Sequence, residues 1–379
     1  MFDFESKDES KNAREFSHCL IFFTNFRVMT VFQRIARIFL WTFIAACALA
    51  LAFGGYGAYR LTRPAYIASA QEFYVGPKTS LSGAITQLEQ RGVVEPSFVN
   101  RLFARAVARW TGRAAQRGVY EIRPGMLAYE TILQLFSKRA LQSVTVTFQE
   151  GVPLRKYAEI ASEKIGCSKS EFLRIAYSDS LKQARGITSA TIEGYLMPNT
   201  YEFYRKTPAD EILDKLLDAQ DEFWASVAST ATHTLDRRQA LVLASIVEAE
   251  TPVDDEKPRV AGVYWNRYQI GMKLEADPTV QYIYDLKNPS RQSRRLLYRD
   301  LEIDSPYNTY RYAGLPPAPI NSPGAAAIRA ALAPERHNYY YFVAKLDGTN
   351  THTFTRTAAE HEQAVAIFRA RRRAAQVKM

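Results

Sequence analysis

The sequence predicts an α+β protein with a single N-terminal transmembrane helix, a small α+β module and a larger, helix-rich α+β domain. Three observations carry that expectation. An uncharged apolar run fills positions 38–59, short alternating stretches mix with amphipathic ones from 72 onward, and beyond 143 most periodic segments repeat at helical spacing. A length of 379 residues suits about two or three domains. With 47% hydrophobic and 23% charged residues, wholesale disorder, a collagen-like fibre and a polytopic membrane protein are excluded. The net charge of +10 points to an anionic partner without choosing among nucleic acid, lipid and acidic polymer.

Taken in order, 1–37 reads as a cytoplasmic tail of mixed charge, with Met29 as a second candidate start. The run Ile38 to Tyr59 matches the roughly 20 residues that cross a bilayer, and Trp41, Tyr56 and Tyr59 sit toward its ends. It is longer than the about 7 to 15 apolar residues of a signal peptide, which favours an anchor over a cleaved leader. Arg27, Arg34 and Arg37 precede it and only Arg60 and Arg63 follow closely. The N-terminus is therefore expected in the cytoplasm and the bulk of the chain outside, in the periplasm of a bacterium, with the anchor in the inner membrane.

A connector with Pro64 covers 60–71, and the small module 72–142. There Phe73-Tyr74-Val75 runs into Gly76-Pro77; Leu81, Ile85 and Leu88 recur at helical spacing after Ser80, and Gly92 marks a stop. A second helix is expected over Ser97 to Trp110, then a strand Val119 to Ile122, a Pro124-Gly125 turn and a helix from Ala128. The larger domain, 143–373, opens with an alternating strand Ser143 to Phe148 broken by Glu150-Gly151. Helices follow over Leu154 to Lys164, Ser168 to Ser178, Ala209 to Ala228 and Asp236 to Glu250. A hairpin is expected from Tyr339 to Ala344 and His352 to Thr355 around Asp347-Gly348, then a last helix opened by a Thr357/Glu360 capping box. Its end, with Arg369 and Arg371 to Arg373, reads as a solvated basic tail.

Cys19, Cys47 and Cys167 form no CxxC pair or even framework, and five scattered histidines offer no HExxH spacing, so neither a metal nor another cofactor is expected. The chemistry concentrates elsewhere, in 192–203, 243–251, 274–282 and 305–324, rich in Pro, Gly, Asn, Tyr and carboxylates. Such segments suit ordered loops around a cleft for a polar, hydroxyl-rich ligand. In the helix from Asp236, Leu241, Ala244, Ser245 and Glu248 share one face, whereas Glu250 sides with Leu243, Ile246 and Val247. A carboxyl held at that apolar end is desolvated and can start protonated as a general acid. Periodicity does not rank Glu248 over Glu250, and a solvated glutamate at a helix end is the plain structural alternative.

The stretches EGYLMPNTY, ASIVEAET, Asn266 to Leu274, DPTVQY, YNTY, GLPPAPI, SPG, YYYFVA and HTF occur in fixed order. In these the chain resembles the MltG/YceG-like family of endolytic murein transglycosylases. The resemblance implies a membrane-anchored lyase that cuts peptidoglycan strands, with the module at 72–142 as a LysM-like, glycan-contacting subdomain and cell-wall synthases as candidate partners. It aligns the catalytic glutamate with Glu248, acid toward the MurNAc–GlcNAc oxygen and then base on the muramoyl C6 hydroxyl. That route leaves a 1,6-anhydro end and dispenses with the second carboxylate of hydrolases. Glu193, Asn199 and Tyr201 are expected along the cleft, with Gly194 and Pro198 shaping the turn. Asp277 either caps a helix starting at Pro278 or touches substrate; Tyr307, Asn308, Thr309 and Tyr310 suit sugar binding; Gly314, Pro316 and Pro317 suit scaffold. Ala249 stands where the family commonly has Lys, so no cation is expected from that position, and residues 1–28 exceed the usual tail. The competing readings are a hydrolase using Glu193 or Asp277 and a non-catalytic peptidoglycan-binding scaffold for synthases. Nucleic acid is not expected, since no basic-aromatic motif of the common modules occurs.

Overall fold

The computed structural model describes residues 9–76, 79–137, 143–288 and 296–377. Pro77 and the C-terminal border of the small module lie outside the described residues. The chain separates into two compact units, 1–140 and 141–379.

The first unit begins with one continuous helix, α1 (Glu9–Leu61). Nothing in the sequence breaks it before Pro64, so the stretch expected as a tail is helical from Glu9 onward. Within it Val31–Leu61 is long and apolar enough to cross a membrane, and its most apolar stretch is unburied. Beyond it, β1 (Gln71–Val75) pairs antiparallel with β2 (Gly118–Ile122), Phe73 opposite Tyr120. Between them lie α2 (Leu81–Gln90) and α3 (Phe98–Thr111), and α4 (Ala128–Gln134) follows. Ser80 and Ser97 cap α2 and α3 by accepting the Gly83 and Val99 N–H at 3.0 and 3.2 Å. Phe73, Val75, Leu88, Tyr120, Ile122 and Ile132 form the core of this unit.

In the second unit β3 (Ser143–Phe148) pairs antiparallel with β4 (Asn199–Tyr204), Val146 opposite Tyr201. Three helices, α5 (Leu154–Ile165), α6 (Lys169–Ala176) and α7 (Asp179–Ala184), separate the two strands. After β4 come α8 (Ala209–Val227), α9 (Arg237–Glu250), α10 (Lys257–Gln269), α11 (Asp277–Lys287) and α12 (Ala325–Leu332). The chain closes with the hairpin β5 (Tyr341–Ala344) and β6 (His352–Thr355), then α13 (Ala358–Val377). Thr357 and Glu360 exchange the hydrogen bonds of a capping box at 3.2 and 3.3 Å.

Helix α9 is the hub. Every residue from Ala240 to Val247 is buried, so the helix is enclosed on all sides, and Asp236 and Gln239 fix its start with reciprocal bonds. Asn266 donates to the His337 and Tyr339 carbonyls, and Arg267 to those of Tyr340 and Leu274. The Asn-Arg motif of α10 therefore staples the approach to β5.

The segment 192–203 departs from its expected form. Ile192 to Met197 are buried in the core, and the following residues form strand β4 instead of a cleft loop. Tyr201 and Phe203 point inward beside Phe148, a two-residue alternation. Thr200 and Glu202 at the alternate positions, with Asn199 at the exposed start, give the stretch a loop-like composition.

Candidate active site

Glu248 stands in the last turn of α9 with only 6% of its side chain exposed. Three segments meet there. Lys257 at the start of α10 sends Nζ to Glu248 Oε1 and Oε2 at 3.1 and 3.3 Å and to Asp254 Oδ1 at 2.8 Å. The Gly324 N–H, at the N-cap of α12, donates to Glu248 Oε2 at 3.0 Å. The turn after β3 closes the third side: the Gly151 N–H bonds the Ser322 carbonyl at 2.8 Å, and the Ser322 N–H bonds the Val152 carbonyl at 3.1 Å. Glu150 from this turn lies so close to the Gly324 Cα that any side chain there would collide with its carboxyl.

The Ser245 hydroxyl accepts the Ile320 N–H at 3.1 Å, and its carbonyl accepts Asn321 Nδ2 at 2.8 Å. The 318–324 loop is thus pinned one turn before Glu248. Burial pushes the Glu248 carboxyl above the usual carboxylate range, helped by nearby Glu150 and opposed by the Gly324 N–H and Lys257. Although burial works against its charge, Asp254 and Glu248 hold the Lys257 ammonium above its ordinary value. Position 249 supplies no cation, but position 257 does.

Glu250, two residues on, faces a cavity of about 1090 Å³ that Arg155, Asp277, Tyr282, Tyr310 and Asn321 also line. The Tyr264 hydroxyl donates to Glu250 Oε1 at 2.6 Å. Burial pushes Glu250 up to about 7, with Asp277 adding to the shift and Tyr264 and Arg267 opposing it. Asn321 Oδ1 is buried without a hydrogen-bond partner. Among the described residues no cluster of His, Cys, Asp or Glu is arranged to hold a metal ion.

The expected ligand-contacting residues divide sharply. Asp277 and Tyr310 line the cavity and are joined by a 2.6 Å bond from the Tyr310 hydroxyl to Asp277 Oδ1. Asp277 does not cap α11: it is the first helical residue, Ala276 is the N-cap, and Thr309 Oγ1 accepts the Ala276 N–H at 2.9 Å. Tyr307 packs its ring 5.1 Å from that of Tyr282.

The remaining candidates are not among the residues that line this cavity. Glu193 is 4% exposed and accepts the Leu154 N–H at 2.7 Å, capping α5, and burial pushes it up to about 8. Tyr201 donates its hydroxyl to the Met197 carbonyl at 2.7 Å inside an aromatic cluster. Asn308 is fully buried, donating to the Leu301 and Ile303 carbonyls and accepting the Tyr310 N–H. Thr309 is buried between Ala276 and Thr279, and Asn199 Oδ1 accepts the Thr200 N–H on the exposed start of β4. Sequence reasoning missed Lys257, Glu150, Tyr264 and Arg155, of which only the Glu150-Gly151 break drew attention.

The profile of the YceG-like family matches residues 73–367. An endolytic murein transglycosylase of Bacillus subtilis is 31% identical over 268 residues, covering 66% of this chain and 72% of that protein. One from Streptococcus pneumoniae is 26% identical over 309 residues, 73% of this chain but 55% of that longer protein. The crystal structure of a yceG-like protein from Listeria monocytogenes superposes with a TM-score of 0.52 at 27% identity, covering 78% of this chain and 98% of that one.

Proposed function

The chain belongs to the YceG-like family, and from that premise we propose that it is an endolytic murein transglycosylase anchored in the inner membrane. It cleaves MurNAc–GlcNAc bonds within nascent glycan strands, leaves 1,6-anhydro ends and so terminates elongation. Helix α1 serves as the anchor with the N-terminus in the cytoplasm, and the module 72–142 acts as a LysM-like glycan contact. Cell-wall synthases are the partners this placement favours. Relatives named for this activity support the enzyme class.

The observation that carries the chemistry is the environment of Glu248: a carboxyl raised by burial, yet in contact with an ammonium and a backbone N–H. Protonated Glu248 gives its proton to the glycosidic oxygen as the C1–O bond breaks. Lys257 and the Gly324 N–H then stabilise the carboxylate left behind. That carboxylate takes the proton of the muramoyl C6 hydroxyl as O6 bonds to C1, so Glu248 is restored and no water is consumed. Because the nucleophile belongs to the same sugar, holding the ring in place supplies much of the acceleration. Mass spectrometry of purified glycan strands after digestion tests this: anhydro-muramoyl products are expected. Reducing ends without them would favour hydrolysis.

A hydrolytic reading draws on one specific observation, Glu250 and Asp277 lining the same cavity. It predicts reducing ends and sensitivity to Asp277→Asn.

A further inference from the structure

We propose that the outer stripe of α3 rests on an anionic lipid surface, giving the chain a second contact with the bilayer that α1 enters. The inference rests on α1 being a membrane anchor. Helix α3 turns Val99, Asn100, Ala104 and Val107 toward its own core. On the opposite side Phe98, Leu102, Arg105 and Arg109 recur at i, i+4, i+7 and i+11, one straight stripe. Phe98 is 66% and Leu102 43% exposed. Two large apolar side chains aligned with two arginines on a solvent-facing helix match an interfacial surface.

The charge is one-sided. From Phe98 to Tyr120 there are five arginines, at 101, 105, 109, 113 and 117, and no Asp or Glu. Of these, Arg101 is drawn aside to Glu89 at 2.6 Å, whereas Arg105 and Arg109 stay exposed. Such a surface is complementary to lipid phosphates.

The height of the stripe is set by contacts with the end of α1. Arg60 Nη2 donates to the Pro96 carbonyl at 2.8 Å, and Nη1 pairs with Glu95 at 2.9 Å. Gly57 lies against Val99, whose Cγ1 would be 3.9 Å from a Cβ at that glycine. The first turn of α3 is therefore fixed beside the last turns of the apolar helix. Around it Arg63 lies 4.6 Å from the Tyr59 ring centre and donates to the Tyr66 hydroxyl at 2.8 Å. Tyrosines and arginines at the end of an apolar helix mark the headgroup level, and Phe98 and Leu102 share it.

The test uses the full chain in nanodiscs of phosphatidylcholine alone or with phosphatidylglycerol. A Leu102→Cys variant is reacted with a polar maleimide, and the labelled peptide is quantified by mass spectrometry. Labelling is expected to be about tenfold slower in the anionic discs. Adding Arg105→Glu and Arg109→Glu should abolish the difference, and Leu346→Cys should label equally in both discs. Equal rates at Leu102→Cys in the two lipids, with the chain retained by the discs, overturn the α3 contact alone. A chain that does not stay with the discs overturns the anchor and the α3 contact together.

Discussion

Burial raises two glutamates in this chain, Glu193 and Glu248, above the usual carboxylate range. The groups around them nonetheless differ, and under the proposed function so does their work. Glu193 is shut into the core, where its carboxyl accepts a helix-terminal N–H; Glu248 ends a helix beside a buried lysine and a neighbouring carboxylate. A shifted pKa alone therefore does not separate scaffold from chemistry. What separates them is whether the partners stabilise only a resting fold or also the charge that a proton transfer creates.

The sharpest way to break this contrast is Glu248→Gln, which is expected to lower glycan cleavage by at least about 10³-fold with the unfolding temperature nearly unchanged. Glu193→Gln should keep most of the activity, since Gln also offers an oxygen to the Leu154 N–H. Equal losses measured on purified glycan would erase the distinction. Next in size is Gly194→Ala. Gly194 has φ +81° and its Cβ would strike Pro319, so this variant should lose about 3 kcal/mol or more in denaturant titration. Gly314→Ala, with φ +92° but open space around it, should lose only about 1 kcal/mol.

The pH dependence of stability sharpens the same comparison. A native-state Glu193 near 8 binds its proton more tightly than in the unfolded chain, so its contribution is complete below about pH 4.5 and lost as pH rises through 8. Glu193→Gln should remove that slope and leave the variant more stable than the parent chain above pH 8 in urea titrations. The smallest effect is expected from Lys257→Met. Without the ammonium the Glu248 carboxyl rises further, moving the alkaline limb of the kcat/KM profile upward by about one unit. An unmoved limb would mean that Lys257 serves the fold alone.

Local signals made much of the architecture legible. Ser80, Ser97 and Asp236 announce α2, α3 and α9 because a side chain that accepts an N–H two or three residues on has few other uses at a helix start. The β3 span matches its alternation residue for residue. Strand β4 was hidden because its polar half carries the amides and hydroxyls of a loop. The environment of Glu248 was less legible, since Lys257 reaches it only through the approach of α10 to α9, and Glu150 only through the return of the chain after β3. Asn308 illustrates the opposite case. Its amide has the chemistry to bind an N-acetyl group, but three backbone contacts occupy it within its own turn.

The enclosure of α9 also constrains how the protein can fail. A site built on a surface loop can open and inactivate while the rest stays folded, but Glu248 extends from a helix whose residues from Ala240 to Val247 are all buried. The geometry around Glu248 thus belongs to the same cooperative unit as the core. On heating, loss of that geometry and exchange of the α9 amides should share one midpoint, and surviving activity should count native molecules.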